Sequence, residues 1–252
     1  MAAQYFNEVM MGKWGCSLLL LLTAAQAQAA WQCQVKPQDD IIISAQQVQI
    51  VGASGNLQIS RDGAVTRDGH PLALSADVRR QAETLQRDLR RDVPWIDQGV
   101  QTRLDRARGA LDNIIVEQLG SDSNVRHRLS TLDTQLKAQM NRVLEKRSDG
   151  YAFHHQAIAQ VEKEGQTLVN QTLGGVLQDS INEMGAKGLL KAGQSENPLQ
   201  AVLGNLGGLQ QSIRTEWDKQ DNDLRAFGQQ ACERVQALDT QRKALLKALP
   251  AS

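Results

Sequence analysis

The chain has 252 residues, and its 28 Lys plus Arg balance 28 Asp plus Glu, which excludes the basic excess that a nucleic-acid partner demands. Aromatic residues make up 4% of the composition, too few for a base-stacking platform or a sugar-binding aromatic cleft. The length allows a sizeable core, in one domain or two.

Residues 1–30 read as a signal peptide. Lys13 supplies the short positive start and the leucine-rich run 17–23 the apolar segment. Ala-Gln-Ala-Gln-Ala-Ala then supplies small residues for cleavage near Ala29 or Ala30. A start at Met10 or Met11 gives a more ordinary leader, because residues 1–9 add polar side chains and Glu8. The apolar run is far shorter than the ~20 residues of a spanning helix, so an exported, soluble mature chain is expected. Cys16 precedes the leucines and Cys33 follows Ala-Trp-Gln; neither stands where an acylated lipoprotein cysteine belongs. Removing the leader leaves Cys33 and Cys232 in an oxidising compartment, which predicts a disulfide between them. With no Cys-x-x-Cys in the chain, that bridge reads as a clamp and not as redox chemistry.

Residues 31–75 are expected to form a meander of four or five short strands. Ile41-Ile42-Ile43, Val48-Gln49-Ile50, Leu57-Gln58-Ile59 and Leu72-Ala73-Leu74 alternate or cluster β-formers, with Asp62-Gly63 and Asp68-Gly69 between them as hairpin turns. Asp39-Asp40 reads as a turn or as charge protecting a strand edge. The two Arg-Asp-Gly triplets read as turns with no adhesive role.

From Ser75, an N-cap, the period becomes helical, and 76–252 is expected to be mainly long amphipathic helices. Val78, Ala82, Leu85 and Leu89 mark a first helix, which Pro94 is expected to end near Arg91 while opening a second that runs from Trp95 to Leu119. Ser123 or Asn124 caps a third, expected to reach about Arg147. After a Ser148-Asp149-Gly150 turn, a fourth is expected to begin near Tyr151 with Phe153, Ile158, Val161 and Leu168 on one face. Segment 165–208 holds nine glycines; at about 1 kcal/mol each relative to alanine, they predict a broken helix and then a loop around 194–198. The last helix, 199–249, repeats apolar residues about every 3.6 positions, with Gln220 and Arg242 as two polar stops on that face. Long helices with short loops read as antiparallel neighbours in a bundle or in elongated hairpins, and the fold class is therefore α+β.

Chemistry-bearing motifs are sparse. The chain has no His-Glu-x-x-His, phosphate loop, Gly-x-Ser-x-Gly elbow or clustered Cys/His set. Of the histidines, His70 falls in a turn, His127 among arginines, and His154-His155 at the start of the fourth helix. Adjacent helical side chains point about 100° apart, so that pair reads as exposed or capping and not as metal ligands. No cofactor, metal or catalytic residue is assigned.

The residues pointed to a contact role are Leu173, Gly174, Gly175, Val176 and Leu177, with Gly204 and Gly208, whose small-xxx-small spacing permits close helix approach. The leading expectation is a non-catalytic envelope protein that binds or supports another envelope component, with self-association compatible with its amphipathic helices. Association of the glycine-rich segment with a lipid surface is the second expectation, and an enzyme assembled only in three dimensions is the third.

Taken together, several features resemble the YggN-like family of secreted gammaproteobacterial proteins of unknown function. They are the leader, the early Cys33, the Asp-Gly turns, Leu74-Ser75-Ala76-Asp77, Arg90-Arg91-Asp92-Val93-Pro94, Leu173-Gly174-Gly175-Val176-Leu177 and Phe227-Gly228-Gln229-Gln230-Ala231-Cys232. The resemblance spans the mature chain. It implies a periplasmic location and carries over no activity.

Overall fold

A computed structural model describes residues 33, 35–53, 55–191 and 198–250; the leader, its cleavage site and the loop before Pro198 lie outside the described residues. Cys33–Ser252 forms one compact unit. Its elements are β1 (Asp39–Ile43), β2 (Gln47–Gly52), β3 (Gly55–Ser60), β4 (Val65–Arg67), β5 (His70–Pro71), α1 (Ala76–Leu119), α2 (Asn124–Val143), β6 (Leu144–Arg147), β7 (Gly150–Phe153), α3 (Ala157–Lys191) and α4 (Pro198–Ala248). The fold is α+β.

The first five strands follow the expected meander, with Val48, Ile50, Leu57, Ile59 and Val65 buried on one face and polar residues alternating outward, as the two-residue period requires. Asp68 (φ 50°) and Gly69 (φ 83°) make the β4–β5 turn with both residues in the left-handed region. The sheet then gains two strands that were expected to be helix, giving the order β5-β4-β3-β2-β1-β7-β6, all antiparallel. The third helix stops at Val143 and the fourth starts at Ala157. Between them Ile41 pairs with Phe153 and Ile43 with Tyr151, so the open edge of β1 recruits two aromatic β-formers. Gly150 makes this possible: its φ is 154°, and a Cβ there would lie 1.9 Å from the Ile43 carbonyl oxygen.

Two further expectations are corrected. Pro94 lies inside α1, which runs unbroken for 44 residues. The proline forfeits one helical hydrogen bond, yet packing on both sides of it holds the axis. Asp92 is 2% exposed and ion-paired to Arg91 and Arg234, whose hydrogen bonds hold its carboxyl below the ordinary range. Trp95 stacks on Phe227 with ring centroids 5.0 Å apart, under the Arg234 guanidinium at 4.0 Å. Likewise α3 continues through Gly165, Gly174, Gly175 and Gly185, because α2 packs along it and Arg128 pairs with Asp179, outweighing the propensity cost.

Among the described residues two cores organise the fold. The larger lies under the sheet and takes Ala82, Leu85, Leu89 and Val93 from α1, Leu238 and Leu245 from α4, and Leu249 just after it, so the strands and helices share it. The smaller joins the far end of α1 (Ile115, Leu119) to Val125, Met184 and Leu209. Thus α1 leaves the sheet, α2 returns, α3 leaves and α4 returns. The Cys33–Cys232 disulfide, spanning 199 positions with a Cα–Cα distance of 5.6 Å, ties the segment before β1 to α4.

Between the cores, Phe227 (4% exposed) is seated against Gly99, where a Cβ would lie 2.3 Å from its ring. Gly99→Ala gains helix propensity of about 1 kcal/mol but overpacks this contact at a cost of about 1–3 kcal/mol. A net loss is expected, read as a lower urea midpoint at unchanged slope.

Candidate functional site

Strand alternation sets Asp39 on the core face of β1 and Asp40 on the other. Ile41 stands opposite Phe153, so the next residue of the chain, His154, falls beside Asp40. Glu145 of β6 stands opposite Ala152 on the same outer face. The register alone therefore gathers a carboxylate, an imidazole and a second carboxylate. His154 lies between them: its Nδ1 is 3.5 Å from Asp40 Oδ2 and its Nε2 is 3.3 Å from Glu145 Oε2. His155 donates its backbone N–H to Asp40 Oδ1 at 2.9 Å and sets its Nδ1 2.6 Å from the same oxygen.

Asn141 and Arg142 of α2 and Gln156, Ala157 and Gln160 at the start of α3 complete an open cleft of about 600 Å³ around Asp40, Glu145 and His154. A second hollow of about 390 Å³ adjoins it, lined by Gln139, Gln160, Lys163, Glu164, Thr167 and Leu168. A polar crossbar separates the two: Arg142 pairs with Glu164 and donates to Gln139 at 2.7 Å, while Gln160 donates to Glu164 at 2.7 Å. The Arg142 hydrogen bond holds the Glu164 carboxyl below its ordinary range.

Burial pushes the Asp40 carboxyl up, but hydrogen bonds from the ring and backbone of His155 and from His154 outweigh it, and the net direction is below the ordinary 3.8. A carboxyl lowered on folding contributes stability in full above its unfolded value and loses it as pH falls through the folded one. Asp40→Asn is therefore expected to lower stability at neutral pH and to flatten the acid limb below pH 3.8, so that the variant and parent curves converge at low pH, as read from urea midpoints across pH.

The cleft presents hydrogen-bonding groups of both kinds and no hydroxyl, thiol or amine nucleophile. Both nitrogens of His154 face carboxylates on opposite sides of the ring, so the three groups do not converge on one point. Among the described residues no group of three His, Cys, Asp or Glu is placed to hold a metal ion. The sheet edges are closed as well. Pro71 lies on β5, and on β6 the Lys146 N–H donates to Asn141 at 3.2 Å, which leaves little for an added strand.

The structure scatters the residues singled out in sequence. Cys33 and Cys232 are joined. Gly174 and Gly208 lie exposed with open space around them, whereas Gly175 abuts the Arg128 guanidinium and Val176 packs on the smaller core. Gly204 lies within α4, and the side chains at Leu173 and Leu177 lie outside what is described. None of these residues lines the cleft. His70 and His127 are exposed and apart, while His154 and His155 do come together, just before α3 and not within it. Sequence reasoning missed Asp40 and Glu145 as their partners. The available signal was the Tyr151-Ala152-Phe153 alternation, which reads as a strand once it is set beside Ile41-Ile42-Ile43.

No described helix is long and apolar enough to cross a membrane. No solved structure matches the chain. Its sequence is 54% identical over 237 residues to the protein named "Uncharacterized protein YggN" from Escherichia coli (strain K12), covering 94% of this chain and 98% of that one. The proteins of the same name from Escherichia coli O6:H1 and O157:H7 match to the same extent. Residues 33–252 match the family described as "Protein of unknown function (DUF2884)", and over that whole compact, disulfide-closed unit the chain belongs to the DUF2884 family.

Proposed function

We propose that the chain is an exported, periplasmic protein that acts without catalysis, as a binding module for another envelope component. The observation that carries this reading is the makeup of the cleft. It is large, open and lined by amides, carboxylates, a guanidinium and an imidazole, and its histidine is held between two carboxylates with no nucleophile beside it. Such a surface suits recognition of a polar partner better than bond cleavage. The leader pattern and the Cys33–Cys232 bridge support export, since structural disulfides belong to oxidising compartments.

The test is a photo-crosslinking residue at Gln156, an exposed position on the cleft, in the protein recovered from the envelope. A discrete adduct that disappears in Asp40→Asn and Glu145→Gln supports the reading. Adducts unchanged by both substitutions overturn the cleft as the binding surface. Intact mass of the same preparation checks export, which requires a mature start near residue 30 and the mass deficit of one disulfide.

A second reading, lipid association through the glycine-rich segment, draws on Ile181, which is 45% exposed on α3, and on the open flanks of Gly174, Gly185, Gly207 and Gly208. It requires Ile181→Asp to weaken sedimentation with neutral vesicles; an unchanged bound fraction, or none in the parent, excludes it.

A further inference from the structure

We infer that Arg61 and Arg90 form a binding site for a phosphate-type anion at the end of the sheet opposite Asp40. The β1–β2 turn presents two consecutive carbonyls, and each receives one guanidinium. Arg90, on α1, donates through Nη1 to the Ser44 carbonyl, and Arg61, after β3, donates through Nε to the Ala45 carbonyl at 2.9 Å. Gln86, only 5% exposed, fixes the Arg90 guanidinium and the main chain of Arg61. Its Oε1 accepts from Arg90 Nε at 2.9 Å and its Nε2 donates to the Arg61 carbonyl at 3.1 Å. Two cations are thus built onto one turn by a buried carboxamide.

Neither cation is neutralised. Among the described residues no carboxylate lies within ion-pair distance of Arg61 or Arg90. The acids nearest in sequence are already engaged, Asp62 with Arg79 and both Asp88 and Asp92 with Arg91, and Asp149, on the neighbouring β6–β7 turn, pairs with Arg147. Arg90 also keeps one nitrogen, Nη2, buried without an acceptor. Like charges held together in a half-desolvated place cost free energy that a bound anion recovers. Arg61 is exposed, so its outer nitrogens are free to meet such an anion while the guanidinium stays anchored through Nε. A planar guanidinium suits tetrahedral phosphate through paired N–H donors. The same chemistry is offered by free phosphate groups and by phospholipid headgroups, and the two sources separate experimentally.

The test uses the full mature protein with its disulfide intact. Inorganic phosphate is titrated against chloride at constant ionic strength while the melting temperature is followed, and flotation is measured with phosphatidylglycerol vesicles and with phosphatidylcholine vesicles. A saturable rise in melting temperature with phosphate, its midpoint moved about tenfold or more by Arg61→Gln, supports a site for free phosphate. Flotation only with the phosphatidylglycerol vesicles, lost in Arg61→Gln, supports a headgroup site. Arg90→Gln must act in the same direction; because Arg90 is half-buried, that variant is scored only by anion dependence relative to its own baseline. No saturable response in either arm, or responses unchanged by Arg61→Gln, overturns the inference.

Discussion

Replacing both Cys33 and Cys232 with serine is expected to lower stability by about 5 kcal/mol, the largest single effect in the molecule. The bridge closes 199 positions of chain, and in the chain-entropy model the loss grows with the logarithm of loop length, so this loop lies near the top of the range. The site matters too. Cys232 is 6% exposed on α4, and the covalent tie holds the short segment before β1, whose other anchors are the β1 strand pairs and the Asp39–Arg242 contact. The native contacts of sheet and helices survive the substitution, so the far-ultraviolet circular dichroism should be retained while the urea midpoint falls. The slope should also rise, because the unbridged denatured chain exposes more surface. A loss below about 1 kcal/mol would contradict the chain-entropy account and place the stabilisation in the native packing alone.

That bridge was open to sequence reasoning because it followed from counting cysteines outside the leader. The long helices were open to it for a different reason: Leu199 to Leu249 repeats the helical period so many times that local exceptions do not disturb it. Local exceptions were what misled elsewhere. Pro94 and the glycines of α3 carry real propensity costs, but propensity sums over a few residues whereas packing acts along the whole helix. Asp92 with its two arginines, or Gly175 against Arg128, cannot be foreseen without the partner helix. The β6–β7 hairpin was missed because Leu144 to Phe153 is short, charged at one end and contiguous with a helical pattern. What makes it a strand pair is the vacant edge of β1, more than a hundred residues earlier in the chain.

The candidate cleft was hidden by the same long-range pairing. His154 and His155 were visible as an adjacent pair, and adjacency argued against a shared role on a helix. On a strand end followed by a turn, the two rings instead reach one carboxylate, Asp40. Asp39 and Asp40 read in sequence as a single turn or edge charge, although alternation sends them to opposite faces. One becomes part of the cleft and the other is 2% exposed in the core. Arg242, one of two polar stops on that helical face, is the clue to such a buried acid.

Asp39→Ala is accordingly expected to cost about 3–5 kcal/mol, the usual penalty for removing one member of a buried ion pair. Asp39 and Arg242 have side chains 1% and 15% exposed. Asp39 Oδ2 accepts from both Arg242 Nε, at 2.8 Å, and Nη2. Without it Arg242 keeps, among the described residues, only Asp239, at 3.4 Å, in a place water barely reaches. The contact is tight on its other side as well: Gly52 stands opposite Asp39 in the sheet, and a Cβ there would lie 2.3 Å from Asp39 Oδ1, an oxygen that is buried without a hydrogen-bond partner. Gly52→Ala should therefore destabilise by displacing the carboxylate, and its effect should shrink only in part in the Asp39→Ala background, since the Cβ would also lie 2.9 Å from the Asp39 Cα and from the Gln38 carbonyl oxygen. The double variant Asp39→Leu with Arg242→Met decides what the pair contributes. Desolvation of two charges offsets most of their attraction, so an apolar replacement of similar size should return stability to within about 1 kcal/mol of the parent. If it does, the pair sets the angle at which α4 meets β1 more than it stabilises the fold. A double variant as unstable as Asp39→Ala alone would instead show that the ion pair itself holds the last turns of α4 on the sheet.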